Sequence, residues 1–321
     1  MRALFAIFGA SILAVAACGA RSSLRVPDPA EEEIDAGPDA LDAGPDIVDA
    51  PDVFDAPPDV FDAPPDVPVV DCQDAGITYV YLISSENVLL RFYPPDGSVV
   101  AIGNIDCPQP SPGGATPFSM AVDRAGIAYV LFSDGELYRV STATASCKPT
   151  GFVKGQLGFN ERFGMGFSAN VSNAGETLFI AGSDDTETLA TIDVESFDLD
   201  VVGEFSNPIG NAELTGTGNG GLFAFGVENV PGSTLLHLAE IEKSSAQIIG
   251  DEFLDLGTGG VGISAWAFAA WGGDFYFFTS TSPGTSKVSR YHPGDPFAVD
   301  YATLPGLTIV GAGVSTCAPA E

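Results

Sequence analysis

The sequence is poor in the side chains that most often carry acid–base and metal chemistry. Its 321 residues include two histidines, His237 and His292, and only 12 Lys and Arg against 43 Asp and Glu. No Cys-x-x-Cys pair occurs, so a zinc site is not expected. A general base poised near neutral pH is hard to supply from this composition, which disfavours catalysis. We expect no catalytic residues, no cofactor and no metal.

The chain also lacks an apolar run long enough to cross a membrane. Residues 3–17 form an apolar run of 15 residues, whereas a spanning helix needs about 20. The run follows Arg2 and ends in small residues, which is typical of an export signal. Val15-Ala16-Ala17-Cys18 resembles a bacterial lipobox. The resemblance implies cleavage before Cys18, attachment of lipid (palmitate among its chains) and, because Gly19 rather than Asp follows, the outer membrane. An ordinary cleaved signal and an uncleaved anchor are the alternatives.

Basic and bulky apolar residues are scarce in residues 18–71. This segment repeats Val-Phe-Asp-Ala-Pro-Pro-Asp at 53–59 and 60–66, and residues 19–71 hold 15 acidic and two basic side chains. Closely spaced prolines block helix formation, and repelling carboxylates cannot collapse into a core. We therefore predict a signal peptide over residues 1–17, then the lipidated Cys18 and a disordered acidic tether over 18–71. The Asp spacing does not match a calcium loop.

The remaining residues, 72–321, carry 28 acidic and nine basic side chains, a net charge of −19. A body this acidic repels nucleic acid and anionic lipid headgroups, so both are excluded as partners. The expected partners are the membrane, through the Cys18 lipid, and an unknown envelope protein or polysaccharide. We expect a monomer. Whether it faces the periplasm or the cell surface is left open.

The body lacks a segment with a convincing helical period. Short β-branched and aromatic runs alternate with turn residues, which indicates strands. Glycines that lead into a strand recur in steps of 45 to 53 residues, at Gly76, Gly126, Gly175, Gly220 and Gly273. A period near 50 with about four strands per unit is typical of β-propeller blades. The expected fold class is all-β, a single propeller of five four-stranded blades; a pair of β-sandwiches is the alternative.

The first of these units lacks its inner strand, and residues 309–315 form a spare strand near the C-terminus. We predict that this segment is the inner strand of the first blade, which closes the ring and removes open sheet edges. With Cys18 lipidated, four cysteines remain, and they allow three pairings. Ring closure brings Cys72 to Cys317, so we predict that disulfide and, by elimination, Cys107–Cys147.

The whole pattern resembles bacterial outer-membrane lipoproteins that join a lipobox and an acidic Asp/Ala/Pro tether to a propeller-like body. The phrases that carry the resemblance lie at residues 117–124, 136–142, 163–168, 265–276 and 310–317. The resemblance covers about the whole chain. It implies a location and a fold but no known activity.

Candidate binding residues follow from the propeller topology. The loops that lead into inner strands form one face of the ring, and the longest are residues 103–118, 151–166 and 250–265. Asn160 and Arg162 form the most polar cluster among them, and Glu213 and Trp266 approach from neighbouring blades. We predict these four residues as a ligand-binding face, although core packing is the competing interpretation for Trp266.

One motif in the same region is not expected to bind a cofactor. Residues 257–262 match G-x-G-x-x-G, but the dinucleotide site needs a strand before the glycines and a helix after them. A further strand follows here, so the segment is predicted as a loop between blades.

The sequence as a whole predicts a membrane-anchored lipoprotein with a non-catalytic propeller that binds an unknown ligand. An envelope-assembly accessory lipoprotein is the first alternative. A propeller lyase or hydrolase acting on an extracytoplasmic glycan is the second.

Overall fold

The computed structural model describes residues 72, 79–108, 114–159, 161–170, 175–182, 187–258 and 262–321. These residues form twenty strands and a single 3-10 turn at Gln156–Gly158. The strands pair into five separate four-stranded antiparallel sheets, arranged as the blades of one propeller. The predictions for the signal peptide, Cys18 and the tether fall outside the described residues.

Each blade has an inner, a second, a third and an outer strand. The inner strands are β20 (Ile309–Val314), β4 (Pro117–Val122), β8 (Phe163–Ala169), β12 (Asn211–Gly216) and β16 (Ala265–Trp271). The second strands are β1 (Val80–Ser84), β5 (Ile127–Phe132), β9 (Glu176–Gly182), β13 (Leu222–Val230) and β17 (Asp274–Ser280). The third strands are β2 (Val88–Tyr93), β6 (Leu137–Ser141), β10 (Thr188–Ile192), β14 (Ser233–Glu242) and β18 (Thr285–Tyr291). The outer strands are β3 (Ser98–Asn104), β7 (Cys147–Pro149), β11 (Leu199–Glu204), β15 (Gln247–Phe253) and β19 (Val299–Pro305).

Burial falls from the axis outwards, and the sequence follows it. Every residue of β5, Ile-Ala-Tyr-Val-Leu-Phe, is buried because both of its faces meet neighbouring blades. A continuous apolar run is what such a doubly covered strand requires. In β3 no residue is fully buried, and exposed positions such as Val100 face solvent.

The core is divided into layers between adjacent blades. Five apolar clusters occur among the described residues, one at each blade junction around the ring. At the junction of the last and first blades, Phe92 packs edge-on against Phe278 with ring centroids 5.4 Å apart, and both are fully buried. Burying a side chain of this size stabilises the fold by about 1.5–3 kcal/mol.

The inner strands approach one another so closely that glycine is required at several of their positions. A Cβ added to Gly164 would lie 2.0 Å from the carbonyl oxygen of Ala212 in the next blade. A Cβ on Gly216 would lie 2.2 Å from the carbonyl oxygen of Phe167. The axis is therefore packed rather than open, and the narrow space between the described inner strands around Gly166 and Gly313 has no room for a water molecule.

The ring closes as the sequence predicts. β20 pairs antiparallel with β1, with Val314 opposite Val80, and supplies the inner strand of the first blade. Cys72 is bonded to Cys317, three residues beyond the end of β20. Cys107 is bonded to Cys147 and joins the loop after β3 to the outer strand of the second blade. Both predicted disulfides are present.

The loop predicted at residues 151–166 is shorter in the structure. The outer strand of the second blade, the three-residue β7 at Cys147–Pro149, ends just before it. This strand pairs with β6, and Thr150 closes the pairing by donating its hydroxyl to the carbonyl of Leu137. The inner strand of the third blade begins at Phe163, inside the predicted loop, so the loop ends earlier than expected.

Candidate functional site

All five inner strands begin at the same end of the ring, which we name the upper end; the opposite end is the lower end. At the upper end lies a cavity of about 260 Å³. Every blade contributes to its wall, which is formed by Thr116, Pro117, Phe118, Ser133, Arg162, Glu213, Ser264, Ala265, Trp266 and Val310. The cavity joins an apolar and aromatic lining to a few polar groups, which is the usual composition of a small-ligand site.

Glu213 is the buried acid of this cavity. It lies on β12 and is 5% exposed. Its Oε2 accepts a hydrogen bond of 2.6 Å from the Ser119 hydroxyl on β4, and the backbone N–H of Met165 on β8 also donates to it. Burial nevertheless raises the pKa of Glu213 well above its usual range, against the lowering effect of these two hydrogen bonds. Burial therefore shifts Glu213 towards its protonated form.

Arg162 brings the cationic group. It precedes β8 and is exposed, and its guanidinium lies 5.6 Å from the centroid of the Phe118 ring. A cation over an aromatic face at an exposed position is worth about 0.5–1 kcal/mol. This contact spans the second and third blades and orients the guanidinium at the cavity wall.

Trp266 contributes an unsatisfied donor. It lies at the start of β16, half-buried, and its side chain packs against the apolar layer that contains Phe268 and Phe275. Its Nε1 is buried and has no hydrogen-bond acceptor among the described residues. Leaving a buried N–H unpaired costs about 1–3 kcal/mol, and such a group needs an explanation in a folded protein.

The structure therefore brings Arg162, Glu213 and Trp266 into one cavity, while Asn160 lies outside the described residues. Trp266 is only half-buried, in contrast to the core side chains Met120 and Phe167 on neighbouring inner strands. The segment 257–262 lies between β15 and β16, and its described residues join two blades as a loop.

Sequence reasoning missed the contributions of the second blade, namely Phe118, Ser133 and the Ser119 partner of Glu213. Phe118 and Ser119 follow the long loop that ends at residue 116 and begin an inner strand, as Trp266 does. Glu213 lies within an otherwise apolar inner strand, and a buried carboxylate must be hydrogen-bonded. Its position in the sequence was therefore the signal for a polar partner such as Ser119.

The lower end is built differently. Glu176 on β9 accepts hydrogen bonds from the backbone N–H of Arg124 and from the Thr316 hydroxyl, each 2.7 Å long. The Arg124 Nε donates in turn to the Thr316 hydroxyl oxygen at 2.7 Å. Burial raises the pKa of Glu176, and it raises the pKa of neighbouring Asp123 to about 7. Thr316 precedes Cys317 in the chain, so this hydrogen-bond network lies next to the Cys72–Cys317 disulfide.

The C-terminal residues lie across the lower end. The backbone N–H of Gly272, after β16, donates to the carbonyl of Pro319 at 2.7 Å. A Cβ on Gly218, after β12, would lie 2.4 Å from the carbonyl oxygen of Thr316. The lower end is thus closed by the chain terminus, and the cavity belongs to the upper end.

Within the described ranges, no group of three or more His, Cys, Asp or Glu side chains is placed to hold a metal ion. No described helix is long and apolar enough to span a membrane. Two disulfides indicate a protein that folds outside the reducing cytoplasm.

No protein-family model matches the chain, and no curated protein matches it. Among similar solved structures, the extracellular domain of a protein assigned as a one-component system from B. thetaiotaomicron has a TM-score of 0.39 and 10% identity, over 70% of this chain and 28% of that one. A protein of unknown function from Bacteroides thetaiotaomicron VPI-5482 has a TM-score of 0.42 and 11% identity, over 73% of this chain and 61% of that one. Kuenenia stuttgartiensis hydrazine synthase has a TM-score of 0.36 and 12% identity, over 66% and 62%.

This chain therefore spans less than two thirds of the length of each of these three proteins. The likenesses carry no inference about function. The assignment to the β-propellers rests on the strand order and pairing of the five blades.

Proposed function

We propose that this protein is a lipid-anchored, non-catalytic binding protein whose propeller takes up its partner at the upper-end cavity. The observation that carries the proposal is the convergence of all five blades on one cavity that contains Arg162, Glu213 and Trp266. A rigid ring that holds aromatic and charged groups at one mouth suits recognition, whereas the fold by itself selects no ligand.

The anchor follows from the sequence around Cys18. Its lipobox-like setting predicts a lipidated N-terminus, and Gly19 after it favours the outer membrane. Mass spectrometry of the mature N-terminus tests this part: a diacylated Cys18 is expected, and an unmodified N-terminus upstream of Cys18 would refute it. The result is independent of what the cavity binds.

The first disulfide places Cys72 at the end of the ring opposite the cavity. Cys72 is bonded to Cys317, which lies at the lower end. An attachment through Cys72 therefore does not use the cavity end, which suits a partner such as an envelope protein or a polysaccharide.

A glycan hydrolase is the second candidate, because a carboxyl with a raised pKa in a cleft is a common property of catalytic acids. Glycoside hydrolysis usually requires two carboxyl groups across the scissile bond. Glu213 is the only carboxylate in the described cavity wall. We therefore favour binding without turnover.

Retention of envelope components by the immobilised full-length protein tests the binding function. Envelope proteins and polysaccharides are passed over the wild type, over Arg162→Ala/Trp266→Ala, and over Trp271→Phe, a control at the lower end of β16. We expect a component that the wild type and the control retain and the double variant loses. Equal retention by all three would exclude the cavity, and turnover of a retained glycan would establish the enzyme instead. Co-purification of outer-membrane assembly machinery through the same cavity would identify the accessory role.

A further inference from the structure

The first blade carries a partly exposed group of aromatic side chains at the lower end of the ring, opposite the cavity. Tyr81 on β1 lies opposite Arg91 on β2. The ring centroid of Tyr79, just before β1, lies 6.4 Å from that of Tyr81 and 5.7 Å from that of Tyr93. The Arg91 guanidinium lies 5.0 Å from the Tyr79 centroid. We name these four residues the tyrosine patch.

Two other blades have a Tyr–Arg pair at the same place in their second and third strands. These pairs are Tyr129–Arg139 and Tyr276–Arg290. In both blades the arginine has an acid close to it. The Arg290 Nε lies 3.8 Å from a carboxylate oxygen of Asp274. In the second blade burial raises the pKa of Asp123, and the nearby charge of Arg139 acts in the opposite direction.

Arg91 differs from these two arginines. Tyr79 stands two residues before Tyr81, at the position that Asp274 occupies in the last blade, so the first blade lacks the matching acid. Arg91 is exposed, and among the described residues its contact is with the Tyr79 ring and no carboxylate forms an ion pair with it. In a body of net charge −19, this guanidinium is suited to a carboxylate supplied from outside the blade.

The next blade leaves the patch open. Val100 on β3 lies opposite Arg91 and is 47% exposed. The second blade meets β3 further along, at Gly103, where an added Cβ would lie 3.3 Å from that of Ala145. In the last blade, by contrast, Phe92 covers Tyr276, which is 3% exposed. The tyrosine patch is thus an accessible aromatic surface with one cation at its centre.

An acidic, proline-containing stretch of the same chain joins the body beside this patch. Cys72 is bonded to Cys317, and β20, which ends three residues before Cys317, pairs with β1 next to Tyr79. Residues 60–66, Val-Phe-Asp-Ala-Pro-Pro-Asp, end six residues before Cys72. Six extended residues reach about 20 Å, which is enough to lay this stretch on a surface at the same end of the same blade.

We propose that the tyrosine patch binds residues 60–66 of its own chain, with the proline rings against the tyrosines and an aspartate paired with Arg91. Proline-rich segments dock on aromatic surfaces because their extended backbone loses little entropy on binding. The carboxylate gives Arg91 the partner that Arg290 already has in its own blade. This contact is separate from the cavity and does not depend on what the cavity binds.

Chymotrypsin cleavage of the full-length protein tests the proposal with a control that the chain itself supplies. Residues 51–60 and 58–67 have the same sequence, Pro-Asp-Val-Phe-Asp-Ala-Pro-Pro-Asp-Val, so Phe54 and Phe61 offer the protease identical local sites. We expect cleavage after Phe61 to be about threefold slower than cleavage after Phe54, because the shorter loop to Cys72 favours docking of the nearer repeat. Mass spectrometry of the fragments gives both rates. Equal rates overturn the proposal, and are the result expected if a second copy of the chain or a polysaccharide occupies the patch instead.

Variants separate docking from simple nearness to the folded body. Arg91 is exposed, so Arg91→Gln should keep the fold and bring the two cleavage rates together. Tyr93→Leu should reduce the difference between them. Arg290→Gln changes the equivalent arginine of the last blade and should keep the wild-type ratio. Slower cleavage after Phe61 that persists in Arg91→Gln would show that nearness to the body is its cause, and would refute the docking.

Discussion

At the lower end of the ring, the buried carboxyl of Glu176 accepts hydrogen bonds from Arg124 and Thr316, and the chain terminus lies across the strand ends. At the upper end, Glu213 has neutral partners, the indole N–H of Trp266 has none among the described residues, and a cavity remains. The same five inner strands join the two ends. The difference shows that the chain terminus closes the ring at one end, whereas the other end keeps a cavity with one unsatisfied polar group, the Trp266 N–H, in its wall.

The largest expected loss of stability comes from removing the Cys72–Cys317 disulfide at the lower end. Cys72→Ser/Cys317→Ser removes a bond between residues 245 apart in sequence, and Cys107→Ser/Cys147→Ser one between residues 40 apart. On loop entropy alone the first is worth about 5 kcal/mol and the second about 4 kcal/mol. We expect the first variant to lower the free energy of unfolding in urea more than the second. A larger loss in the second would show that the ring does not depend on this closure.

The next effect comes from forcing apart two inner strands near the upper end. In Gly164→Ala the new methyl group would meet the backbone of Ala212 and Glu213 rather than a side chain that can move aside. Overpacking of this kind costs about 3 kcal/mol. Thermal unfolding should show the loss, and Gly262→Ala, where a Cβ meets nothing within 4 Å, should not. Equal melting temperatures for the two variants would contradict the close packing at the axis.

The lower-end acids should give the stability a pH dependence. Burial raises the pKa of Asp123 to about 7, so its protonated form stabilises the fold at low pH, and this contribution is lost as the pH rises through about 7. Asp123→Asn cannot ionise and keeps an oxygen for the Ile127 N–H, which Asp123 Oδ1 accepts at 2.8 Å. Relative to the wild type, the variant should gain on the order of 4 kcal/mol between pH 4 and pH 8.

Chemical denaturation at four or five pH values measures this gain. Asp193→Asn is the control of opposite sign. Hydrogen bonds from the backbone of Ser196 and Glu195 lower the pKa of Asp193, so its contribution is present at neutral pH and is lost as the pH falls. A flat difference between wild type and Asp123→Asn across the range would show that Asp123 titrates normally.

The smallest change in stability is expected when Glu213 at the upper end is replaced. Because burial shifts Glu213 towards its neutral acid, we expect Glu213→Gln to change the free energy of unfolding at pH 6 by about 1 kcal/mol or less. Glu176→Gln removes the negative partner of Arg124 at the lower end, 3.8 Å from its Nε, and should cost more. Denaturation of both variants at pH 6 compares the ends directly. A greater loss in Glu213→Gln would mean that Glu213 is ionised in the fold.

The sequence carried enough information to place the ring closure but not every blade edge. The missing inner strand and its spare at residues 309–315 predicted both the topology and the two disulfides. The outer strand of the second blade gives little signal in the sequence, because β7 has only three residues, Cys147–Pro149. An outer strand packs on one side only, so its pattern is weak. The apolar Phe152 just beyond it is buried, yet it belongs to a loop.

The candidate site was predictable to the extent that ring geometry determines it. Loops that lead into inner strands must converge, and this rule predicted that Arg162, Glu213 and Trp266 lie close together. The structure places all three in one cavity wall. Phe118 and Ser133 were missed, because the side chains that reach the axis depend on how neighbouring inner strands are offset along it. This offset is set where a glycine of one inner strand packs against the backbone of the next, as Gly164 does against Ala212.

The bond between Cys72 and Cys317 also has a mechanical consequence. A pull that arrives through the residues before Cys72 is shared at once between two strands, since Cys317 leads back into β20 and the chain after Cys72 leads into β1. These strands are hydrogen-bonded to each other along their length, with Val80 opposite Val314. Tension therefore loads both strands from the same end and cannot peel β1 from the ring by itself. The blade at which the chain enters the ring is covalently protected against being unravelled by force.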